Sequence, residues 1–184
     1  MFSVIDIETT GLNEWQNDII TIGAVVVDDN LDVIKEKEFK MKPDSPHYWS
    51  ADAEGVHRTT LDEALEFPEQ EEVISDIIDF LPGSSTFIYH AMARFDYRFM
   101  FALFWKHEMR AEFYKLFPNQ QSTIDPKHKK ARERWQIENQ KLDTWAHKLG
   151  LKFKHHNSLE DARLCYNVFK YQRSQQEFKQ PNSN

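Results

Sequence analysis

Two acidic residues near the start of the chain have a spacing that could do chemistry. Asp6 and Glu8 are separated by one residue where the apolar run over residues 1–7 ends, and this run predicts a buried β-strand. Alternate residues of a strand point to the same face, so both carboxylates would project together. Mg²⁺ and Mn²⁺ prefer such hard oxygen ligands, and a cation would offset the repulsion between the two charges. The pair therefore indicates a divalent metal site, unless both acids simply emerge into solvent.

A third acid, Asp96, lies within an aromatic segment. Residues 94–109 are apolar nearly all round, which predicts a buried helix. An unpaired carboxylate in such surroundings is costly, because burial removes its hydration. A metal ion would supply the missing partner. The alternative is that Asp96 is an N-terminal helix acid stabilised by the helix dipole.

His156 and Asp161 lie five residues apart near the end of the chain. On one continuous helix they would point about 140° apart and could not converge. Ser158 is a candidate N-cap with Asp161 as its capping-box acid, which would leave His156 on the preceding loop. An imidazole on such a loop can act as a general base toward water near Asp161. Two surface histidines, His155 and His156, beside a capped helix are the alternative.

These residues belong to strings that resemble a known family. The string DIETTGL over residues 6–12 resembles the first motif of the DEDDh 3′–5′ exonucleases, the DnaQ-like family that includes proofreading subunits and RNase T. Phe95 and Asp96 match the end of the family's second motif, H-N-x-x-F-D. His156 and Asp161 match its third motif, H-x-x-x-x-D.

The second motif departs from the family pattern. Met92 takes the place of the Asn, and His90 lies one residue early. Two weaker segments agree with the family: VHRTT over residues 56–60 resembles the stretch between the first two motifs, and residues 142–150 resemble the approach to the third. The resemblance covers residues 1–170.

The resemblance implies five catalytic residues, four of which bind metal. Asp6, Glu8, Asp96 and Asp161 would hold two divalent ions, Mg²⁺ or Mn²⁺, and His156 would take a proton from the attacking water. The residues expected to bind the terminal nucleotide are Thr9, Gly11, Leu12, His57 and Phe95. For Leu12 and Phe95, packing in the core is the alternative.

The expected function is metal-dependent hydrolysis of single-stranded nucleic acid from its 3′ end, releasing nucleoside 5′-monophosphates. DNA is the favoured substrate and RNA the second candidate. Two alternatives stay open: a short-oligonucleotide RNase of the same family, and a non-catalytic exonuclease-like module that binds nucleic acid or a polymerase. A degenerate module would have lost at least one of the five polar residues, and all five are present.

The elements that must position these residues follow an α/β pattern. Three strands, over residues 1–7, 19–27 and 31–41, are joined by short connections and are therefore expected to be antiparallel. The later elements expected are helices over residues 61–64 and 67–80, a strand over residues 86–89, and helices over residues 94–109, 135–149 and 158–171. This order predicts a layered α/β fold, and the resemblance implies an RNase H-like mixed sheet flanked by helices.

The charge of the chain is unevenly distributed. The formal net charge is −7, which argues against binding nucleic acid by bulk electrostatics alone. Residues 28–79 carry 16 acidic and 5 basic side chains, whereas residues 126–154 carry 9 basic and 3 acidic ones. Within the basic stretch, residues 127–134 are a candidate track for phosphates, with a solvated surface as the alternative.

The 184 residues suffice for one ordinary domain, expected over residues 1–172 with a polar, frayed tail over 173–184. The single cysteine, Cys165, excludes an internal disulfide framework. No run of 18 apolar residues occurs, so we expect a cytoplasmic protein that does not enter a membrane. About a dozen residues follow Tyr171, which favours a free-standing enzyme acting on 3′ ends. A polymerase and a second copy of the chain stay open as partners.

Overall fold

A mixed β-sheet forms the centre of the fold. The computed structural model describes residues 1–152 and 156–177, and within these the sheet has five strands. In chain order they are β1 (Phe2–Thr9), β2 (Ile19–Val27), β3 (Val33–Lys40), β4 (Thr86–Tyr89) and β5 (Asn119–Ser122). Their spatial order is β3-β2-β1-β4-β5, in which β1, β2 and β3 are antiparallel and β4 and β5 run parallel to β1. The expected mixed sheet with three antiparallel strands first is confirmed.

Helices cover both faces of this sheet. They are α1 (Ala51–His57), α2 (Leu61–Leu65), α3 (Gln70–Phe80), α4 (Phe95–Lys106), α5 (Arg110–Leu116), α6 (His128–Trp135), α7 (Leu142–Leu149) and α8 (Ser158–Glu177). Short 3₁₀ turns lie at Pro46–Tyr48 and Met92–Arg94. No helix in the described part of the chain has both the length and the apolar character needed to cross a bilayer.

Strand β1 is buried on both faces, and its side chains alternate between two cores. Ile5 and Ile7 pack into a large core with α3, α4 and α5. Val4 points the other way and packs with Ala162 and Cys165 of α8. This alternation follows from the two-residue period of a strand. Asp6 and Glu8 consequently share the face of β1 that α8 covers.

The region after α4 differs most from the prediction. A single helix over residues 135–149 is wrong: α6 ends at Trp135, Gln136 adopts a left-handed conformation with φ 51°, and α7 starts only at Leu142. The expected stop at Gly150 is present, with φ +67°. Strand β5 was not expected, because its sequence NQQS has no apolar alternation; it is held by its parallel ladder with β4.

The final helix also differs at both ends. Its N-cap is Asn157 and not Ser158, because the Asn157 side chain accepts a hydrogen bond from the backbone N–H of Glu160 at 3.0 Å. Ser158 is the first helical residue and is fully buried. The helix continues to Glu177, so residues 173–177 are helical and do not belong to a frayed tail. The remainder of that tail, 178–184, lies outside the described residues.

Candidate active site

The third-motif residues lie next to the acids of β1. Glu8, His156 and Asp161 each offer one possible ligand atom, and these atoms all lie within 4.8 Å of one another. Asp161 is on the first turn of α8 and is 6% exposed, whereas His156 is exposed on the loop before it. The Asp161 carboxylate accepts a hydrogen bond from the backbone of His156. The other candidate histidine, His155, lies outside the described residues.

Asp96 approaches the same place from the opposite side of the sheet. It lies on the first turn of α4, is 4% exposed, and accepts a hydrogen bond from the backbone of Ile7 on β1. The preceding turn contains two consecutive residues in the left-handed region, Ala93 with φ 54° and Arg94 with φ 59°. Each costs roughly 1–2 kcal/mol in a non-glycine residue. This turn redirects the chain from β4 so that the start of α4 faces the end of β1.

The four carboxylates have strongly perturbed pKa values. Burial is the largest cause for each: it raises the pKa of Asp6 well above its usual range, the pKa of Glu8 to about 8, and those of Asp96 and Asp161 to about 7. Repulsion from neighbouring acids raises all four values further. Ionised together, they form a concentrated negative site that favours binding of a cation.

Two buried carboxylate oxygens in this cluster need a partner. Asp96 Oδ2 and Asp161 Oδ1 are buried and make no hydrogen bond within the described residues. Buried polar atoms are normally paired, and an unpaired carboxylate oxygen is especially costly. An all-oxygen set of this kind fits Mg²⁺ or Mn²⁺.

The residues expected to hold a nucleotide lie on the loop after β1, on α1 and at the start of α4. Leu12 is 82% exposed, so its alternative role in the core is excluded. Thr9 donates a hydrogen bond to the carbonyl of Gly11 at 2.6 Å, which fixes this loop. His57 is buried, which lowers its pKa, and His156 lowers that pKa further, which places the two imidazoles near each other. Phe95 is half-buried against Phe99, with ring centroids 4.7 Å apart.

The family model described as RNase_T, Exonuclease, matches residues 3–169 of the chain. The chain belongs to this exonuclease family. The DNA polymerase III PolC-type of Thermotoga petrophila is 31% identical over 170 residues, covering 91% of this chain and 11% of the polymerase. The DNA polymerase III subunit epsilon of Haemophilus influenzae is 28% identical over 174 residues, covering 90% of this chain and 64% of the subunit. The chain thus spans about a tenth of the PolC-type relatives and less than two thirds of the epsilon subunit.

Solved exonuclease structures share the fold. Escherichia coli exonuclease I in complex with a dT13 oligonucleotide superposes with a TM-score of 0.82 at 16% identity, covering 96% of this chain and 42% of that one. Exonuclease I of Methylocaldum szegediense gives 0.79 at 18% identity, covering 96% and 41%. The RNase H-like fold expected from the DnaQ-like resemblance is confirmed.

His90 has a structural role in this member of the family that the sequence did not reveal. Its Nε2 lies 2.6 Å from the carbonyl oxygen of Gln140 and its Nδ1 lies 2.5 Å from Thr123 Oγ1. A carbonyl only accepts, so Nε2 donates and Nδ1 accepts from the hydroxyl. Burial lowers the pKa of His90 to about 4, which keeps the ring neutral. The displaced histidine therefore ties β4 to the loop before α7.

A cleft of about 470 Å³ opens beside His156 and Asp161. Its lining includes Met92, which is 62% exposed, and His128 at the start of α6. The basic side chains of α6 and its preceding residue are all exposed: Lys127, Lys129 and Lys130 lie at the start of the helix, and Arg132 and Arg134 lie in its last turn. The predicted basic stretch therefore lies partly at the rim of the cleft, and its end at Lys154 is outside the described residues.

Proposed function

We propose that this chain is a metal-dependent 3′–5′ exonuclease that removes nucleoside 5′-monophosphates from single-stranded nucleic acid, with DNA preferred over RNA. The observation that carries the proposal is the convergence of Asp6, Glu8, Asp96 and Asp161, two of which have buried, unpartnered carboxylate oxygens. Such a cluster destabilises the fold unless a cation compensates its charge. Membership of the exonuclease family supports hydrolysis as its use.

The four carboxylates would hold two divalent cations, Mg²⁺ or Mn²⁺. Bound there, the cations would neutralise the scissile phosphate and polarise the attacking water. The protein contributes a rigid arrangement, because Asp6 and Glu8 are fixed by the sheet while Asp96 and Asp161 occupy the first turns of two helices. Rigid elements hold catalytic groups more accurately than loops do.

His156 is the proposed general base. It is exposed, so an incoming water can reach it, and its backbone contacts the Asp161 carboxylate. The imidazole would accept the proton of the attacking water and pass it to solvent. A base must lie near the nucleophile without being buried by its neighbours, and the loop position of His156 meets both requirements.

The terminal nucleotide is proposed to lie against Thr9, Gly11, Leu12, His57 and Phe95. The exposed Leu12 offers apolar surface against which a base or sugar can pack. Exposed basic residues 127–134 would contact phosphates, which compensates for the overall charge of −7. Apolar contact of this kind tolerates any base and therefore suits a non-specific exonuclease.

Single-stranded 3′ ends are the proposed partners, supported by the exonuclease I complex with dT13. The PolC-type and epsilon relatives support association with a DNA polymerase as a further proposal. We also propose that the chain forms a single domain that includes the whole of α8, and that it is located in the cytoplasm. The short-oligonucleotide RNase and the non-catalytic module are the alternatives that the following experiment separates.

The test uses 5′-labelled single-stranded DNA and RNA of the same sequence, incubated with Mg²⁺ and sampled over time. We expect a ladder that shortens by one nucleotide at a time from the 3′ end, faster on DNA, and absent in EDTA. Preference for RNA of a few nucleotides would identify the RNase alternative. Binding of both strands without any shortening would identify the non-catalytic module and contradict the proposal.

A further inference from the structure

Asn157, the residue between His156 and α8, makes hydrogen bonds through both polar atoms of its side chain and through its backbone oxygen. Its Oδ1 accepts from the backbone N–H of Glu160 at 3.0 Å, and its backbone oxygen accepts from the N–H of Asp161 at 2.9 Å. Its Nδ2 donates to Glu38 Oε1 on β3 at 2.8 Å. Asn157 therefore caps the helix and also ties it to the edge strand of the sheet.

The strands beneath this cap are in register with the catalytic acids. Gly23 of β2 pairs with Asp6 of β1 on one side and with Glu38 of β3 on the other. A methyl group on Gly23 would lie 2.0 Å from the carbonyl oxygen of Ser158, so the first turn of α8 rests directly on the β2 backbone. Glu38, Gly23 and Asp6 are therefore neighbours across three strands, and the middle residue, Gly23, contacts α8.

We propose that Glu38 is a positioning residue for the reaction. Its hydrogen bond to Asn157 holds the start of α8 on the sheet, so that His156 and Asp161 face Glu8. The Glu38 side chain is 22% exposed, and its second carboxylate oxygen lies 3.6 Å from Lys40 Nζ, so Oε1 is left to accept the bond from Asn157. The effect on turnover rests on the proposed function, whereas the effect on the helix start does not.

The same strand provides a matched control. Glu36 lies two residues away on the same face of β3 and also contacts α8, where it pairs with Arg163. Arg163 is beyond the catalytic turn, and its guanidinium also pairs with the Glu160 side chain, so this ion pair secures the helix at a distance from the Asn157 cap. Loss of Glu36 therefore reports helix docking in general, and loss of Glu38 reports the position of residues 156–161.

The first experiment compares Glu38→Ala, Glu38→Gln and Glu36→Ala in steady-state hydrolysis of single-stranded DNA with Mg²⁺. We expect Glu38→Ala to lower kcat about 10-fold, a loss of the size seen when supporting contacts of a metal or catalytic group are removed, with KM nearly unchanged. Glu38→Gln retains an acceptor oxygen and should stay near wild type, as should Glu36→Ala. Equal losses in Glu38→Ala and Glu36→Ala, or no rescue by Gln, would overturn the proposal.

A charge exchange tests the contact directly. Asn157→Asp keeps an acceptor for the Glu160 N–H but places a carboxylate against Glu38, so kcat should fall at least as far as in Glu38→Ala. In the double variant Glu38→Gln with Asn157→Asp, the new amide donates to the new carboxylate, and kcat should recover to within about threefold of wild type, since the pair is coupled. A double variant as slow as Asn157→Asp alone would contradict the pairing.

Hydrogen exchange gives a readout that needs no activity. In the metal-free protein, the Asp161 amide should exchange about 10-fold faster in Glu38→Ala than in Glu36→Ala, because local opening of the first turn becomes easier. An inactive wild type with this faster exchange would refute the proposed function and support the positioning contact. An active wild type whose Glu38→Ala variant matches it in exchange and kcat would refute the positioning role alone.

Discussion

The two faces of β1 carry different kinds of layer. On one face, Ile5 and Ile7 continue an apolar core of aliphatic and aromatic side chains with α3, α4 and α5. On the other, Val4 packs against α8, but Asp6 and Glu8 then replace the apolar layer beneath the start of that helix. The face with Ile5 and Ile7 therefore stabilises the fold along the whole strand. The face with Val4 stabilises it only at one end of the strand, because the charged side chains at the other end are destabilising. Substitutions on the charged face should lower activity and raise stability, whereas substitutions on the apolar face should lower stability and leave activity nearly unchanged.

The largest effect should come from removing one acid of the charged face. Asp6→Asn keeps the shape of the side chain but removes its charge, so we expect hydrolysis to fall to background, measured with labelled single-stranded DNA. The same variant should raise the melting temperature of the metal-free protein, because it removes a buried carboxyl group that the neighbouring acids repel. Retained hydrolysis would contradict the role of the charged face in activity. A variant that circular dichroism shows to be unfolded would contradict the claim that this face lowers stability.

The second effect concerns the base on the loop. His156→Ala should lower kcat by about 10²–10⁴-fold, the range for loss of a general base, while Mg²⁺ still raises the melting temperature. The four carboxylates remain in place, so cation binding should survive. Loss of the Mg²⁺-dependent shift would assign His156 to the metal site and not to proton transfer.

On the apolar face, the expected effect is on stability alone. Ile5 is fully buried, and Ile5→Ala should lower the free energy of unfolding by about 2–5 kcal/mol, measured in urea. At a temperature where the variant is folded, kcat should stay within about twofold of wild type. A large loss of kcat in the folded variant would show that the two faces are not separate in function.

The smallest effect is a dependence of stability on pH in the absence of metal. Between pH 6.5 and 8 the folded chain holds protons on Glu8, whose pKa is about 8, and on Asp96 and Asp161, whose pKa values are about 7, whereas the unfolded chain does not. Stability in EDTA should therefore fall as the pH rises through this window. Below pH 6.5, His90, with its pKa lowered to about 4, contributes the opposite slope.

Melting temperatures in EDTA and in Mg²⁺ across this window check the prediction. Mg²⁺ should flatten the decline, because it binds the ionised carboxylates. Asp6→Asn should reduce the decline in EDTA. A stability that rises from pH 6.5 to 8 without metal would show that the acid cluster is already compensated.

The sequence predicts best those elements whose formation depends on local side-chain patterns. The β-branched run of β2 and the apolar strand β4 were predicted with the bounds that the structure gives. The acids of β1 and the third-motif pair were predicted from spacing, and the structure places Glu8 beside both members of that pair. Hydrophobic periodicity and short motifs are local signals, and these elements depend on them.

The remaining features depend on contacts between distant residues. Strand β5 is built from polar residues that pair through their backbone, so no periodicity marks it. Asn157 and Ser158 are equally suitable N-cap residue types, and only the hydrogen bond from the Glu160 N–H to the Asn157 side chain decides between them. Likewise, the sequence marks His90 only as a motif residue that lies one position early, and its structural role depends on the bonds to Thr123 and Gln140.

The accessibility of the Cys165 thiol reports the opening of the sheet face that α8 covers. It is the sole cysteine, it is fully buried on α8 against Val4, and burial raises the pKa of its thiol. An alkylating reagent can reach it only when α8 separates from the sheet. The rate at which the thiol is alkylated therefore measures how often α8 separates from the charged face of β1. No probe has to be introduced, and no second thiol contributes to the measured rate.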